Sequence, residues 1–354
     1  MAGTWKPHCL GSTTGFASTL AGFGVVVDLR PAGTLRRVHV VEVIRRPDAD
    51  EIATTTAFVE RVATELGMRP LSDHLWLDLR AGGSEGFVLI RVHDESGPLA
   101  IAQISAANDG SALEIVVDPA IAPDRRRRVH DDAATTAIDA FRRGGGGRLT
   151  WWLDDPDAEL LGLAAGAGLM PVRALHEMRR PLPHERRAGV ATRSFRPGID
   201  DEQWVRVNNR AFAGHGEQGG WTVETLALRR AEPWFDPDGF RIHERDGRIA
   251  AFCWTKLHHE LDPVVGEIYV IAVDPDFHGT GLGTELTLAG LDSIGDRGIT
   301  VANLYVDADN TAAVALYDRL GFTLHRTRTA CSGELSSLEP PHGPPNQPAP
   351  TETR

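Results

Sequence analysis

Apolar positions along this chain follow two rhythms. VHVVEVI (38–44), FVLIRVH (87–93) and PLAIAQISA (98–106) are short runs rich in β-branched residues, and they predict strands. DEIATTTAFVERVATELG (50–67) repeats its apolar residues at helical spacing instead. The succession then returns. ATRSFRP (191–197) predicts a strand, DEQWVRVNNRAF (201–212) a helix, and FRIHERDGRIAAFCWTKLH (240–258) a hairpin turning at Asp246–Gly247. EIYVIAV (267–273) and TELTLAGLDSI (284–294) predict a strand and a helix, with the glycine-rich stretch DPDFHGTGLG between them. ITVANLYVDADNTAAVALYDRLGF (299–322) reads as a strand, a short polar loop, and a helix closed by Gly321.

The return is regular. LEIVVDP (113–119) echoes EIYVIAVDP (267–275) at an offset of 156, and Gly168 echoes Gly321 at 153. Two landmarks at nearly one offset indicate a whole domain in tandem, since the period is too long for a solenoid. Each copy is expected to be a mixed α/β domain, with antiparallel strands first and a strand–loop–helix–strand unit last. The expected boundaries are an N-terminal domain at 37–182 and a C-terminal domain at 190–331. They join near the charged, proline-bearing RRPLPHERRAGV (179–190). Residues 1–36 are expected to be a disordered extension, because Gly, Ser and Thr interrupt the apolar stretch 10–29 and spoil it as a signal peptide. The proline-rich 332–354 is expected to be a disordered tail.

Composition narrows the partners. A net charge of −12 argues against nucleic acid. No run approaches the ~18 apolar residues of a membrane span. The three cysteines, Cys9, Cys253 and Cys331, have neither pairing nor metal spacing, so a cytoplasmic protein is expected. His258 to Asp262 fits H-x-x-x-D, but it is expected to sit in a hairpin loop without the glycine that motif needs. The adjacent His258, His259 and Glu260 lack helical ligand spacing, so no metal is expected.

The glycine stretch 279–283 carries the chemistry. A strand, a glycine loop and a helix start bind phosphate through free N–H groups, and glycines let the backbone approach the anion. No Gly-Lys-Ser/Thr follows Gly283, so this is not a P-loop, and G-x-G-x-G late in a domain is not the dinucleotide fingerprint. Taken with N-x-x-A-x-x-x-Y-x-x-x-G-F (310–322), the pattern resembles the acetyl-CoA-binding half of the GNAT N-acetyltransferases. The resemblance implies two strands that splay for the pantetheine arm and a pyrophosphate seated on the loop. Carried over position by position, it gives Ile271, Ala272 and Val273, then His278, Gly279, Thr280, Gly281, Leu282, Gly283 and Thr284, and finally Asn310, Thr311, Ala312, Ala313, Val314 and Ala315 as acetyl-CoA contacts. His278 departs from the Gln or Arg usual in the family. The first copy has PDRRRRVHDDA (123–133) in place of the loop, with Arg128 and His130 where the two glycines stand; it is expected to be a degenerate domain kept for packing and cleft shape.

Over roughly 38–330 the chain is similar in more detail to the mycothiol synthase family. The likeness is sharpest at VNNRAFAGHGEQGGWT (207–222), WFDPDGF (234–240), FCWTKLH (252–258) and GEIYVIAVDP (266–275). That family acetylates the cysteine amine of a cysteinyl-glucosaminyl-inositol thiol precursor. The resemblance implies Glu267 as base and Tyr317 as acid, with Asp73, Glu217, Lys256, Tyr305 and Glu267 holding the substrate; a monomer is expected. Two other readings stay open: an acetyltransferase for another small amine or a protein N-terminus, and a non-catalytic acetyl-CoA sensor.

Overall fold

The structure, a computed structural model, describes residues 39–107, 109–214 and 218–338, together with the two-residue strand Phe23–Gly24. Apart from that strand, the expected extension at 1–36 lies outside the described residues, as do 339–354.

The first half runs β1 (Phe23–Gly24), β2 (Val40–Ile44), α1 (Ala49–Leu66), α2 (Asp73–Arg80), β3 (Val88–Asp94), β4 (Gly97–Ala107), β5 (Gly110–Val117), α3 (Pro123–Arg143), β6 (Gly147–Asp154), α4 (Ala158–Gly166) and β7 (Met170–Pro181). The second half repeats the plan with β8 (Arg193–Ser194), α5 (Asp201–Ala211), α6 (Val223–Arg230), β9 (Phe240–Arg245), β10 (Arg248–His258), β11 (Val265–Val273), α7 (Leu282–Gly295), β12 (Val301–Asp307), α8 (Thr311–Arg319) and β13 (Thr323–Leu335). The β9–β10 hairpin turns where Asp-Gly signals it, Asp246 at φ 51° and Gly247 at φ 71°.

Among the described residues all strands join one sheet in the order β1-β2-β3-β4-β5-β6-β13-β7-β12-β11-β10-β9-β8. β5 pairs with β6 in parallel and β11 with β12 in parallel; the other neighbours are antiparallel. The two halves exchange their last strands: β7 pairs with β12, and β13 with β6. Matching ion pairs fasten both crossings, Arg173 to Asp307 and Arg326 to Asp154. Separating the halves therefore means breaking strand ladders, not only a side-chain interface.

Three local expectations need correction. β8 covers only Arg193–Ser194 of the stretch 191–197, because Asp200 binds the Arg193 and Arg196 guanidiniums and the Arg196 N–H, turning the chain out of the sheet. β13 continues to Leu335, past the expected boundary at 331, because β6 offers it an open edge from Gly147 to Thr150. The segment 123–133 is no loop. α3 starts at Pro123, a residue suited to the first helical position, and no glycine interrupts it. Three of its arginines are engaged with protein: Arg125 with Asp94, Arg126 with the carbonyls of Pro119 and Ile121, and Arg127 with Asp157 and Glu159.

In the second half the sheet divides two cores. On one face Trp204, Phe240, Phe252 and Trp254 pack edge-to-face and stacked beneath α5 and α6. On the other face α7 lies on Cys253, Ile268 and Leu304. Close approach requires Gly290 there: a Cβ would come within 2.4 Å of the Cys253 sulfur.

Candidate active site

Parallel pairing of β11 with β12 runs from Val265↔Val301 to Ile268↔Leu304 and stops. At that point β11 carries a bulge. Trp254 on β10 faces Val270 and Thr255 faces Ile268, so Tyr269 is the extra residue. A bulge bends its strand and strengthens the twist, which turns β11 away from β12. From Tyr269 to Val273 the edge of β11 that faced β12 has no strand partner, and the amides of Ile271, Ala272 and Val273 lie along this stretch.

The chain leaves β11 through a short 3₁₀ turn at Pro275–Phe277 and enters the glycine loop. Gly279 (φ 73°) and Gly281 (φ 81°) both hold the left-handed conformation that side chains resist. Gly281 caps α7 without any side-chain hydrogen bond, and a Cβ at that position would meet nothing within 4 Å. Glu285 makes the first turn's bond, to the Gly281 carbonyl, so the amides ahead of it have no acceptor within the helix. This arrangement fits a pyrophosphate. His278 turns back instead, Nε2 lying 3.0 Å from the Val273 carbonyl oxygen. Thr280 donates to the Phe277 carbonyl, and Leu282 is buried in the core. Gly283 faces Leu316 of α8, and Thr284 continues the first turn of α7.

Asn310 caps α8, accepting from the Ala313 N–H at 3.1 Å, and so sets where that helix starts. Thr311, Ala312 and Ala315 are exposed, with Ala313 and Val314 partly covered. Tyr317 is 8% exposed and packs on Phe322 beside Ile268. Burial pushes its phenol well above the ordinary value.

Glu267 lies across the sheet from Tyr317. In register it faces Lys256 on β10 and Asn303 on β12, so its side chain shares their face. Tyr317 stands on the α7 side. Pairing of β11 with β12 ends one residue beyond Glu267. Glu267 is 8% exposed, and its Oε2 is 2.6 Å from Nε2 of His258.

Lys256 is buried, with Nζ 2.8 Å from both carboxylate oxygens of Asp73 and over the rings of Trp234 and Tyr269. Asp73 opens α2 in the first half. It gets there because α1, started by a capping box at Asp48 and Glu51, ends at Gly67 (φ 62°) and turns the chain toward the second half. Arg69, in that turn, also pairs with Asp73. Burial works against ionising Asp73, yet Lys256 and Arg69 prevail and hold its carboxyl well below the usual range.

Tyr305, two residues beyond Asn303, donates to Glu177 at 3.2 Å and accepts from Arg326. Glu177 is fully buried and also binds Arg179 and Arg326. Burial opposes its ionisation, but the two guanidiniums bring its pKa down to about 2.

The structure thus gathers Asp73, Lys256, Glu267 and Tyr305 on one face of the sheet. Glu217 lies outside the described residues. His258 needs correction, since it is the buried last residue of β10 and not part of a loop. Arg69, Glu177 and Arg326 went unnoticed in sequence as well. A signal existed for His258: Lys256 and His258 alternate with apolar residues in one strand, which puts both on the face of Trp254. Two cavities, of about 370 and 160 Å³, open elsewhere, the first between 188–192 and α7, the second beside Trp234 and Thr255; neither is lined by Glu267, Tyr317 or Gly281. Among the described residues no group of three or more His, Cys, Asp or Glu is placed to hold a metal.

Comparison with known proteins agrees with this geometry. The acetyltransferase (GNAT) family profile matches residues 203–322. A GCN5-related N-acetyltransferase from Sphaerobacter thermophilus superposes with a TM-score of 0.60 at 18% identity, covering 85% of this chain and 98% of that one. A tandem GNAT protein from the clavulanic acid biosynthesis pathway gives 0.57 at 15%, covering 84% and 100%. Fold and site together define a tandem GNAT acetyltransferase, an enzyme that uses acetyl-CoA. Mycothiol acetyltransferase of Thermomonospora curvata is 44% identical over 77% of this chain and 90% of its own length, and that of Streptomyces coelicolor 39% over 82% and 94%. The chain belongs to the mycothiol acetyltransferase family.

Proposed function

We propose that this protein acetylates the cysteine amine of cysteinyl-glucosaminyl-inositol, the last step in making mycothiol. The observation that carries this reading is the ion pair of buried Lys256 with half-buried Asp73 beside Glu267. It joins both halves of the chain at the amine side of the parted strands, where a substrate rich in hydroxyls needs charged hydrogen-bonding partners.

Acetyl-CoA supplies the acetyl thioester. The bare amides at Gly279–Thr284 would hold its pyrophosphate, and residues 310–315 would flank its pantetheine arm. Glu267 takes the proton of the attacking amine, directly or through water. An α-amino group titrates near ~8, so little base strength is required of a carboxylate working through water. Amides of Ile271 to Val273 would stabilise charge on the acetyl oxygen. Tyr317 donates a proton to the departing thiolate from the opposite side of the opening. Its raised pKa makes it a weak acid, so orientation is its main contribution. Asp73, Lys256, Tyr305 and Glu217 bind the sugar–inositol portion. The first half contributes Asp73 and Arg69 to the cleft without turning over substrate. The buried free thiols of Cys253 and Cys331 suit a reducing cytoplasm, and the acceptor and acetyl-CoA are the partners this reading requires.

The test is an acetylation assay of the purified protein with acetyl-CoA, offering the cysteinyl precursor, other small amines and a peptide N-terminus. The expected result is a kcat/KM for the precursor at least ~100-fold above the rest, the scale of discrimination when a site hydrogen-bonds its substrate. Equal rates across the panel would leave a general acetyltransferase.

A further inference from the structure

His258 closes β10 two residues beyond Lys256, so its side chain leaves the strand on the face that carries Glu267. The imidazole is 5% exposed and lies between two carboxylates. Nε2 is 2.6 Å from Glu267 Oε2, and Nδ1 is 3.1 Å from Glu260 Oε1. Glu260 reaches the surface, its side chain 40% exposed, and Arg69 from the first half stands 3.5 Å from it. The other groups facing the pair are Lys256 on β10, Asp73 on α2, the phenols of Tyr269 on β11 and Tyr305 on β12, and the uncharged Asn303 on β12.

A ring with a carboxylate at each nitrogen makes both hydrogen bonds as a donor only when it carries both protons. Such a ring fixes one oxygen of Glu267 and leaves the other for the amine. It also sets a positive charge beside the carboxylate. We propose that His258, held by Glu260, is the positioning residue of Glu267: it orients the carboxylate and sets a cationic hydrogen-bond donor against it. Burial disfavours a charged imidazole here, but the bonds to Glu260 and Glu267 prevail and hold its pKa above the ordinary histidine value. The inference rests on Glu267 acting as the base.

The test compares pH profiles of kcat/KM for the wild type and for His258→Gln, His258→Ala, Glu260→Gln and Glu267→Gln, each checked by thermal melting. His258→Gln keeps a neutral donor, so its rate should stay within about tenfold while the acid limb moves to higher pH. Glu260→Gln should move that limb the same way by less. His258→Ala loses donor and charge together and should fall by about ~10²-fold in kcat, with KM for acetyl-CoA unchanged. A histidine that only packs would lower the melting temperature and leave the acid limb in place, and that result overturns the inference. Wild-type activity in Glu267→Gln sinks the base assignment itself. An inactive Glu267→Gln beside unshifted His258 and Glu260 variants sinks only the role of His258. Nitrogen-15 shifts of the wild-type ring give a reading independent of mutant folding: doubly protonated at about pH 6.5, the ordinary histidine midpoint, is expected, and neutral there contradicts the inference.

Discussion

Glu114 and Glu267 occupy the same register in the two halves of the sheet, Glu114 opposite Gln103 and Glu267 opposite Lys256. Their surroundings differ. Glu114 is 1% exposed and consumed by structure, accepting from the Ser72 N–H at 2.7 Å and from Arg328 at 3.0 Å. Arg328 arrives on β13, the strand exchanged from the second half. Continuing at the same offset, Asp157 caps α4 as Asn310 caps α8, but Ala164 stands where Tyr317 does. The first half thus retains the frame of an acetyltransferase, with its carboxylate tied down, its phenol missing and its glycine loop wound into α3.

The left-handed cap at Gly281 gives the first prediction. Gly281→Val places a branched side chain at φ 81°, at a strain of about 1–2 kcal/mol, beside the amides proposed to hold the pyrophosphate. Calorimetric titration should show acetyl-CoA binding weakened about tenfold or more. Unchanged affinity in a folded variant would put the pyrophosphate elsewhere.

Buried Lys256 and half-buried Asp73 form an ion pair between the halves. Asp73 keeps Arg69 when Lys256 is removed, whereas Lys256 is left buried without its carboxylate when Asp73 is removed. Asp73→Asn should therefore lower stability by about 3 kcal/mol or more, Lys256→Met by less, and the double variant by less than the sum. Chemical denaturation of the four proteins measures this. Strict additivity would mean that the pair does not couple in solution.

Glu177 gives a pH dependence. Its carboxyl is depressed from 4.5 to about 2 in the fold, so the stability it supplies is full above about pH 4.5 and is lost as pH falls toward 2. The melting-temperature gap between wild type and Glu177→Gln should therefore be largest near neutrality and close on acidification through that window. A gap that persists to pH 2 would assign the loss to packing.

Glu217 belongs to the glycine-rich sequence GHGEQGG at 214–220. Glu217→Ala should raise KM for the amine about tenfold, the weight of a charge-assisted hydrogen bond, and leave KM for acetyl-CoA unchanged. A rise in the acetyl-CoA value would move this loop to the cofactor side.

Much of this was legible in the sequence because local rules and tertiary structure agree. Asp246–Gly247 turns a hairpin wherever alternating strands flank it, and the glycines at 279–283 announce a backbone that must bend without side chains. The strand exchange was hidden. β7 and β13 share one pattern, and nothing in an apolar alternation says which of two similar edges, β6 or β12, each will join. Segment 123–133 misled because its place in the repeat suggested a loop, whereas Pro123 and an uninterrupted run of side chains favour a helix. His258 was missed because its partner Glu267 lies on the next strand, and the register that brings them together is fixed by the bulge at Tyr269.

The central claim is that one of two matched carboxylates works and the other holds the fold. The most direct measurement is kcat of Glu267→Gln beside Glu114→Gln, with the melting temperature of each. Glu267→Gln should fall by about 10²–10⁴-fold while melting near the wild type, and Glu114→Gln should stay within a few-fold of wild-type turnover while melting lower. Comparable losses of kcat in two well-folded variants would contradict the account.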